Sequence, residues 1–329
     1  MLAVTRLAAA VILLLLAAPL AVRGQPAAKL PRVGIVWIAP FSQVAGLHEA
    51  FLSGLRGAGY VEGRSIVVEV RSADGNADRL PGLVRDLLGS NVDVIVAPST
   101  AMARAAKAAT TSVPIVMANV TDPESAGLVA SLRKPGGNVT GLANLSSDLS
   151  GKYLELLKEA LPGLSRVAVL WDPRTASLYR TGVESAARSL GLTLHILDVR
   201  TIEEVESALA VAARSGDGAA VFLGPASQPF LFSSRHRIVA AALKHRLPTM
   251  NPTPFWVEAG GFMSYGVDGA DQYRRAAIFI DKILRGANAA DLPIEQPTTF
   301  ELVINRKTAK ALGLTIPQSL LLRAGRVIE

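Results

Sequence analysis

The segment Arg32-Val33-Gly34-Ile35-Val36-Trp37 recurs 134 residues later as Arg166-Val167-Ala168-Val169-Leu170-Trp171. At the same spacing Val113-Pro114-Ile115-Val116-Met117-Ala118-Asn119 is answered by Leu247-Pro248-Thr249-Met250-Asn251. A weaker pair, Val92 to Ser99 and Ala219 to Pro225, lies about seven residues out of phase. Three apolar, β-branched runs repeated in one order predict two similar lobes. Two lobes side by side make a cleft, and function is expected there.

Helix-period runs separate these segments. Val44, Leu47, Phe51, Leu52 and Leu55 follow helical spacing before Gly57 and Gly59, and Leu80, Leu83, Val84, Leu87 and Leu88 do so again. Fully apolar strands alternating with helices mean a parallel sheet covered on both faces. The expected strands are 33–38, 65–70, 92–97 and 113–118, with a further helix starting at Asp122-Pro123. The second lobe reads as strand 167–171, helix 178–190, strand 192–199, helix 202–214, strand 219–223, helix 231–245 and strand 248–251. A strand at 261–265, a helix through Tyr273 to Leu284 and a strand at 300–304 suggest that the chain re-enters the first lobe and then returns. The fold class is therefore α/β: two doubly wound parallel-sheet lobes joined by about three crossing segments. The expected limits are 29–145 plus 269–298 for the first lobe and 146–268 plus 299–329 for the second. The first crossing is placed at Gly141 to Ser147.

Residues 1–24 have the parts of a secretion signal: Arg6, an apolar run from Ala8 to Ala18, then small residues up to Gly24. The alternative is an uncleaved anchor. The chain has no cysteine, so neither disulfides nor a lipidated cysteine is expected, and the protein is expected free in the periplasm. The formal charge is +7, and losing Arg6 and Arg23 with the signal leaves +5. The basic residues are scattered, with small clusters at Arg235-His236-Arg237 and Lys244-His245-Arg246 and no interleaved aromatics, so no nucleic-acid partner is expected.

In open α/β sheets, ligands bind beyond the carboxyl ends of the strands. That rule selects Trp37, Ser99, Thr100, Asn119 and Asp122 in the first lobe. In the second it selects Trp171, Asp172 and Asn251, with Tyr265 and Asp268 near a crossing. Ser99 and Thr100 precede an alanine-rich helix, where they either cap it or share its free amides with an anion. Asp122 is an N-cap or a partner for an amino group. Trp37, Trp171 and Tyr265 either cover a flat ligand or pack internally. Asp172 and Asp268 are cleft acids or turn residues. His48, His195, His236 and His245 have no metal spacing, and His48 reads as structural. No nucleophile elbow, dinucleotide fingerprint or Walker loop is present, so neither a cofactor nor a metal is expected.

Several stretches resemble one family. Phe51-Leu52-Ser53-Gly54-Leu55-Arg56-Gly57-Ala58-Gly59-Tyr60-Val61-Glu62-Gly63, Leu132-Arg133-Lys134-Pro135-Gly136-Gly137-Asn138-Val139-Thr140-Gly141 and Lys152-Tyr153-Leu154-Glu155-Leu156-Leu157-Lys158-Glu159 are similar to ABC-transporter substrate-binding proteins with a type I periplasmic fold. So are Asp78-Arg79-Leu80-Pro81, Val92 to Ala97, Tyr273 to Ala277 and Phe300 to Asn305. The match runs in order from about Arg32 to the C-terminus. It implies a monomeric, extracytoplasmic solute-binding component that is not an enzyme and passes a small-molecule ligand to a membrane permease. Some such proteins bind aromatic amino acids, which suits Trp37, Tyr265 and the helix start at Ser99. A ligand-binding sensor docking on a membrane receptor and a secreted enzyme using the same cleft are the alternatives. Genomic neighbours and turnover would separate them.

Overall fold

The central strands of both sheets, among them residues 33–37, 94–97, 167–171 and 219–222, are apolar and buried, as strands covered on two faces must be. In the computed structural model, which describes residues 29–144, 149–173, 178–223, 231 and 234–329, the chain divides into Met1–Leu30 and Pro31–Glu329. The expected signal, residues 1–24, lies outside the described residues. Among the described residues no helix is long and apolar enough to cross a membrane.

The first sheet contains β1 (Arg32–Trp37), β2 (Val67–Ser72), β3 (Val94–Ala97), β4 (Ile115–Thr121) and β5 (Val139–Asn144), in the order β2-β1-β3-β4-β5, all parallel. Its helices include α1 (Phe41–Gly57), α2 (Leu80–Gly89) and α3 (Thr100–Ala109). Side chains alternate along β1. Val33, Ile35 and Trp37 face one core layer, while Val36 faces the other with Leu80, Val84 and Leu87 of α2.

In the second lobe, α4 (Ser150–Ala160), β6 (Arg166–Trp171), α5 (Leu178–Leu190), β7 (Thr193–Asp198), α6 (Ile202–Arg214), β8 (Ala219–Leu223), α7 (Arg235–Lys244) and β9 (Thr249–Asn251) follow the expected order. The short helix α8 (Pro254–Glu258) leads to β10 (Met263–Val267), and α9 (Gly269–Leu284) leads to β11 (Phe300–Asn305). Helices α10 (Arg306–Leu312) and α11 (Gln318–Arg323) then precede β12 (Arg326–Ile328). The strand order is β12-β11-β10-β9-β8-β6-β7. Here too the sheet separates two core layers: Val167, Val169 and Trp171 face one, Ala168 and Leu170 the other.

Helix α9 packs on α1, and Tyr273, Ala276, Ala277, Phe279 and Ile280 join the core of the first lobe. The seam is close. A Cβ on Gly54 would lie 2.2 Å from the carbonyl oxygen of Arg274, so only glycine lets the two backbones meet there.

Two features differ from the sequence reading. First, β11 pairs antiparallel with β10, from Met263↔Ile304 to Val267↔Phe300, and β12 follows β11. The cause is topological. Strand β10 ends at the cleft, α9 packs on the first lobe, and the chain comes back through the same end of the second sheet. A strand entering from that end runs opposite to its neighbours. Second, no helix starts at Asp122-Pro123. Asp122 lies at φ 42° and Gly127 at φ 68°. Ala126 N–H donates to Asp122 O at 3.0 Å and Leu128 N–H to Pro123 O at 2.9 Å, which closes a turn. The first crossing follows Asn144 and precedes α4; residues 145–148 of it lie outside the described residues.

Candidate functional site

Each sheet has one switch point, where successive connections leave on opposite sides. It falls between β1 and β3 in the first lobe and between β6 and β8 in the second. Crevices beyond the carboxyl ends of such strands receive ligands. The first crevice is bounded by the turn from Trp37 to Phe41 and by Ser99 and Thr100. The second is bounded by Trp171 and Asp172, and residues 224–230, which follow β8, lie outside the described residues.

Polar side chains at the first crevice tie the strand ends together. Ser99 caps α3: its Oγ accepts from Met102 N–H at 3.2 Å. Thr100 Oγ1 accepts from Thr121 N–H at 3.3 Å and donates to Thr121 O at 3.4 Å, linking the ends of β3 and β4. Asn119 Oδ1 accepts from Asn144 Nδ2 at 2.7 Å, linking β4 to β5. Asp122 Oδ1 accepts from Ser125 N–H at 3.2 Å. Ser99, Thr100, Asn119 and Asp122 are thus brought to one end of one sheet.

The other sequence candidates are placed differently. Trp37 is 2% exposed, with its ring 5.0 Å from Tyr273 and edge-on to His48 at 6.2 Å. Trp171 and Asp172 are buried at the end of β6, Trp171 in the core beneath α4 and α5. Asn251 is fully buried. Its Nδ2 donates to Thr249 Oγ1 at 3.0 Å and to Met263 O at 3.1 Å, so it ties β9 to β10 and turns inward, unlike its repeat partner Asn119. Tyr265 is half-buried and stacks on Phe300 at 6.0 Å. Asp268 caps α9, its Oδ1 accepting from Asp271 N–H at 3.1 Å. Burial pushes the Tyr273 phenol well above its ordinary range. Glu301, near Asp268 and Glu258, is raised mainly by burial, against the pull of Arg326.

A hydrogen bond joins the two lobes at their switch points. Arg235 Nη1 donates to Gln43 Oε1 at 3.1 Å across 192 residues of sequence. Gln43 lies in the first turn of α1, which follows β1. Arg235 opens α7, which follows β8. Sequence reasoning placed Arg235 in a basic cluster and passed over it. The available signal was electrostatic: a cation at a helix N-terminus opposes the helix dipole, and such a cost calls for a reason. A cavity of about 580 Å³, lined by Arg306, Lys307, Lys310 and Thr315, lies elsewhere. It sits by the carboxyl end of antiparallel β11, beside the amino ends of the parallel strands. Among the described residues no group of three or more His, Asp or Glu is placed to hold a metal ion.

The model of the family described as ABC transporter substrate binding protein matches residues 38–328. The chain belongs to that family. The family consists of ligand-binding transporter components, so this substrate-binding protein serves an ABC transporter and its membrane partners. It is 27% identical over 289 residues to a tyrosine-binding protein of Clostridioides difficile, covering 87% of this chain and 82% of that one. Among solved structures, a conserved domain protein from Vibrio cholerae is 29% identical with a TM-score of 0.80, covering 91% of this chain and all of the other. An ABC domain in complex with L-Trp from Streptococcus pneumonia is 28% identical, with the same TM-score and coverage.

His48 belongs to the substrate-binding protein's aromatic packing, between Trp37, Phe41 and Phe51. Burial lowers its pKa below 6.5, against the raising fields of Glu62 and Glu49. The unfolded chain therefore takes up the proton first. The stability tied to neutral His48 is complete above about pH 6.5 and is lost as pH falls towards the lower folded value. Thermal unfolding from pH 7.5 to 5 is expected to show a fall of a few degrees that His48→Leu reduces. Parallel curves for the two proteins would refute this.

Proposed function

We propose that this substrate-binding protein captures a free aromatic amino acid between its lobes and delivers it to a membrane permease. The reading rests above all on its likeness, over nearly the whole chain, to the L-Trp-bound structure from Streptococcus pneumonia. The first crevice supplies what an amino acid needs. The opening amides of α3, beside Ser99 and Thr100, favour a carboxylate, and the Asp122 carboxylate suits an ammonium group. Half-buried Tyr265, stacked on Phe300, offers an aromatic surface at the hinge.

In this reading 29–145 with 269–298 close as one body against 146–268 with 299–329. The three crossings then serve as the hinge. Residues 1–24 direct export and are removed, and the protein works in the periplasm without a lipid. It performs no chemistry on its ligand.

Titration calorimetry of the folded protein is expected to show one site for L-tryptophan, L-tyrosine or L-phenylalanine with Kd near 1 μM or below, about −8 kcal/mol. Ligand at 100 times Kd then adds about 2.7 kcal/mol to stability, readable as a thermal shift. Asp122→Asn should weaken binding roughly tenfold, about 1.4 kcal/mol. A folded protein giving neither heat nor thermal shift with all three amino acids would sink the proposal.

A further inference from the structure

The hydrogen bond between Arg235 and Gln43 lies where the fold directs a ligand from both sides. Strands β1 and β3 are neighbours, so their ends lie about 4.8 Å apart. The first turns of α1 and α3 therefore open at the same end of the sheet, on its two opposite faces. Gln43, in the first turn of α1, lies at the same end of the sheet as the α3 amides assigned above to a carboxylate. Arg235 reaches Gln43 from the second lobe.

Arg235 is 8% exposed. Burial lowers its pKa, and the field of Glu258 on α8 opposes that shift. A guanidinium taken out of water needs well-placed acceptors. Among those of Arg235, the one across the cleft is a neutral amide oxygen. A guanidinium has five N–H donors in a rigid fork that matches a carboxylate with two parallel hydrogen bonds. The amide oxygen of Gln43 thus occupies a position that a carboxylate oxygen would fill more strongly.

We propose that Arg235 is the second-lobe anchor for the ligand's carboxylate, with Gln43 holding the fork in place until that carboxylate replaces its amide. This rests on the amino-acid reading of the cleft. One carboxylate then bridges the α3 amides of the first lobe and Arg235 of the second. Lobe closure becomes linked to the ligand's anionic end, because only a ligand with differential affinity for the closed state shifts the equilibrium towards it. The aromatic end contributes affinity; the carboxylate decides which aromatic amines are refused.

The test is calorimetric titration of wild type, R235Q and R235K with L-tryptophan and tryptamine, repeated with L-tyrosine and tyramine. Thermal unfolding of each ligand-free protein controls for folding. Wild type should prefer each amino acid over its decarboxylated amine by roughly 100-fold. R235Q should weaken amino-acid binding by roughly 30-fold or more while changing amine binding less than about threefold, the pattern of a lost buried charge pair. R235K should recover only part of the loss, since an ammonium is a point charge without the fork. Two results overturn the anchor alone: R235Q binding L-tryptophan as wild type does, or losing amino acid and amine equally. If R235Q does not fold, R235K with unchanged amino-acid preference overturns it. A wild type that binds neither amino acid removes the cleft reading and the anchor together.

Discussion

Gly141→Ala is expected to destabilise the protein by about 3 kcal/mol, from backbone strain and overpacking acting at one residue. Gly141 is the third residue of β5, opposite Met117 of β4, where the register of the pair is interrupted before Val120. Its φ is 120°, outside the basins open to side-chain-bearing residues. A Cβ there would lie 2.2 Å from Met117 O and 2.6 Å from Met117 N, and neither backbone atom can yield without breaking the strand pair. The position also anchors a crossing, because Glu295 N–H donates to Gly141 O and Ala143 N–H to Glu295 O, both at 2.9 Å. Gly137→Ala is the matched control. Nothing lies within 4 Å of its Cβ, so its effect should stay within about 0.5 kcal/mol. Denaturant unfolding measures both. A loss below about 1 kcal/mol at Gly141 would contradict the close approach to Met117.

The repeated strands were legible because a strand buried on both faces has no polar positions to blur it. Helices α5 and α6 and strand β8 fall on the expected residues, 178–190, 202–214 and 219–223. Strand direction was not legible. Phe300 to Asn305 is buried from Leu302 onward like any central strand, and its reversal depends on which end of the sheet the chain re-enters. The turn at Asp122 escaped because Asp-Pro opens turns and helices alike, and the choice was made downstream at Gly127. Of the candidate site, position was partly legible: Ser99, Thr100, Asn119 and Asp122 share one sheet end because strand ends are countable from sequence. Asn251 occupies the position matching Asn119, yet its Nδ2 donates to the backbone Met263 O of β10, whereas Asn119 Oδ1 accepts from the side chain of Asn144 on β5, a difference set by the neighbouring strand and not by the repeat. Gln43 and Arg235 belong to different repeats, and no periodicity within either predicts that they meet.

Trp37→Ala separates the two roles that the sequence left open for that ring. If Trp37 is core, the substitution should cost about 3–5 kcal/mol of stability, the usual range for emptying a buried aromatic site. Folded molecules, measured well below the unfolding transition, should then bind ligand within about threefold of wild type, since losses confined to the unfolding equilibrium do not enter the folded-state Kd. The geometry favours this outcome. The indole lies on the Val33–Ile35 face of β1, against Tyr273 of the returning helix α9. The Tyr273 hydroxyl in turn donates to Pro98 O at 3.4 Å, just before Ser99. Trp37 thus holds α9 onto the first sheet and supports the crevice from beneath. Trp37→Phe keeps most of that contact and should cost less than half as much as the alanine variant. The opposite pattern, stability nearly unchanged and affinity down by roughly 30-fold, about 2 kcal/mol, would restore the indole as a ligand-stacking wall.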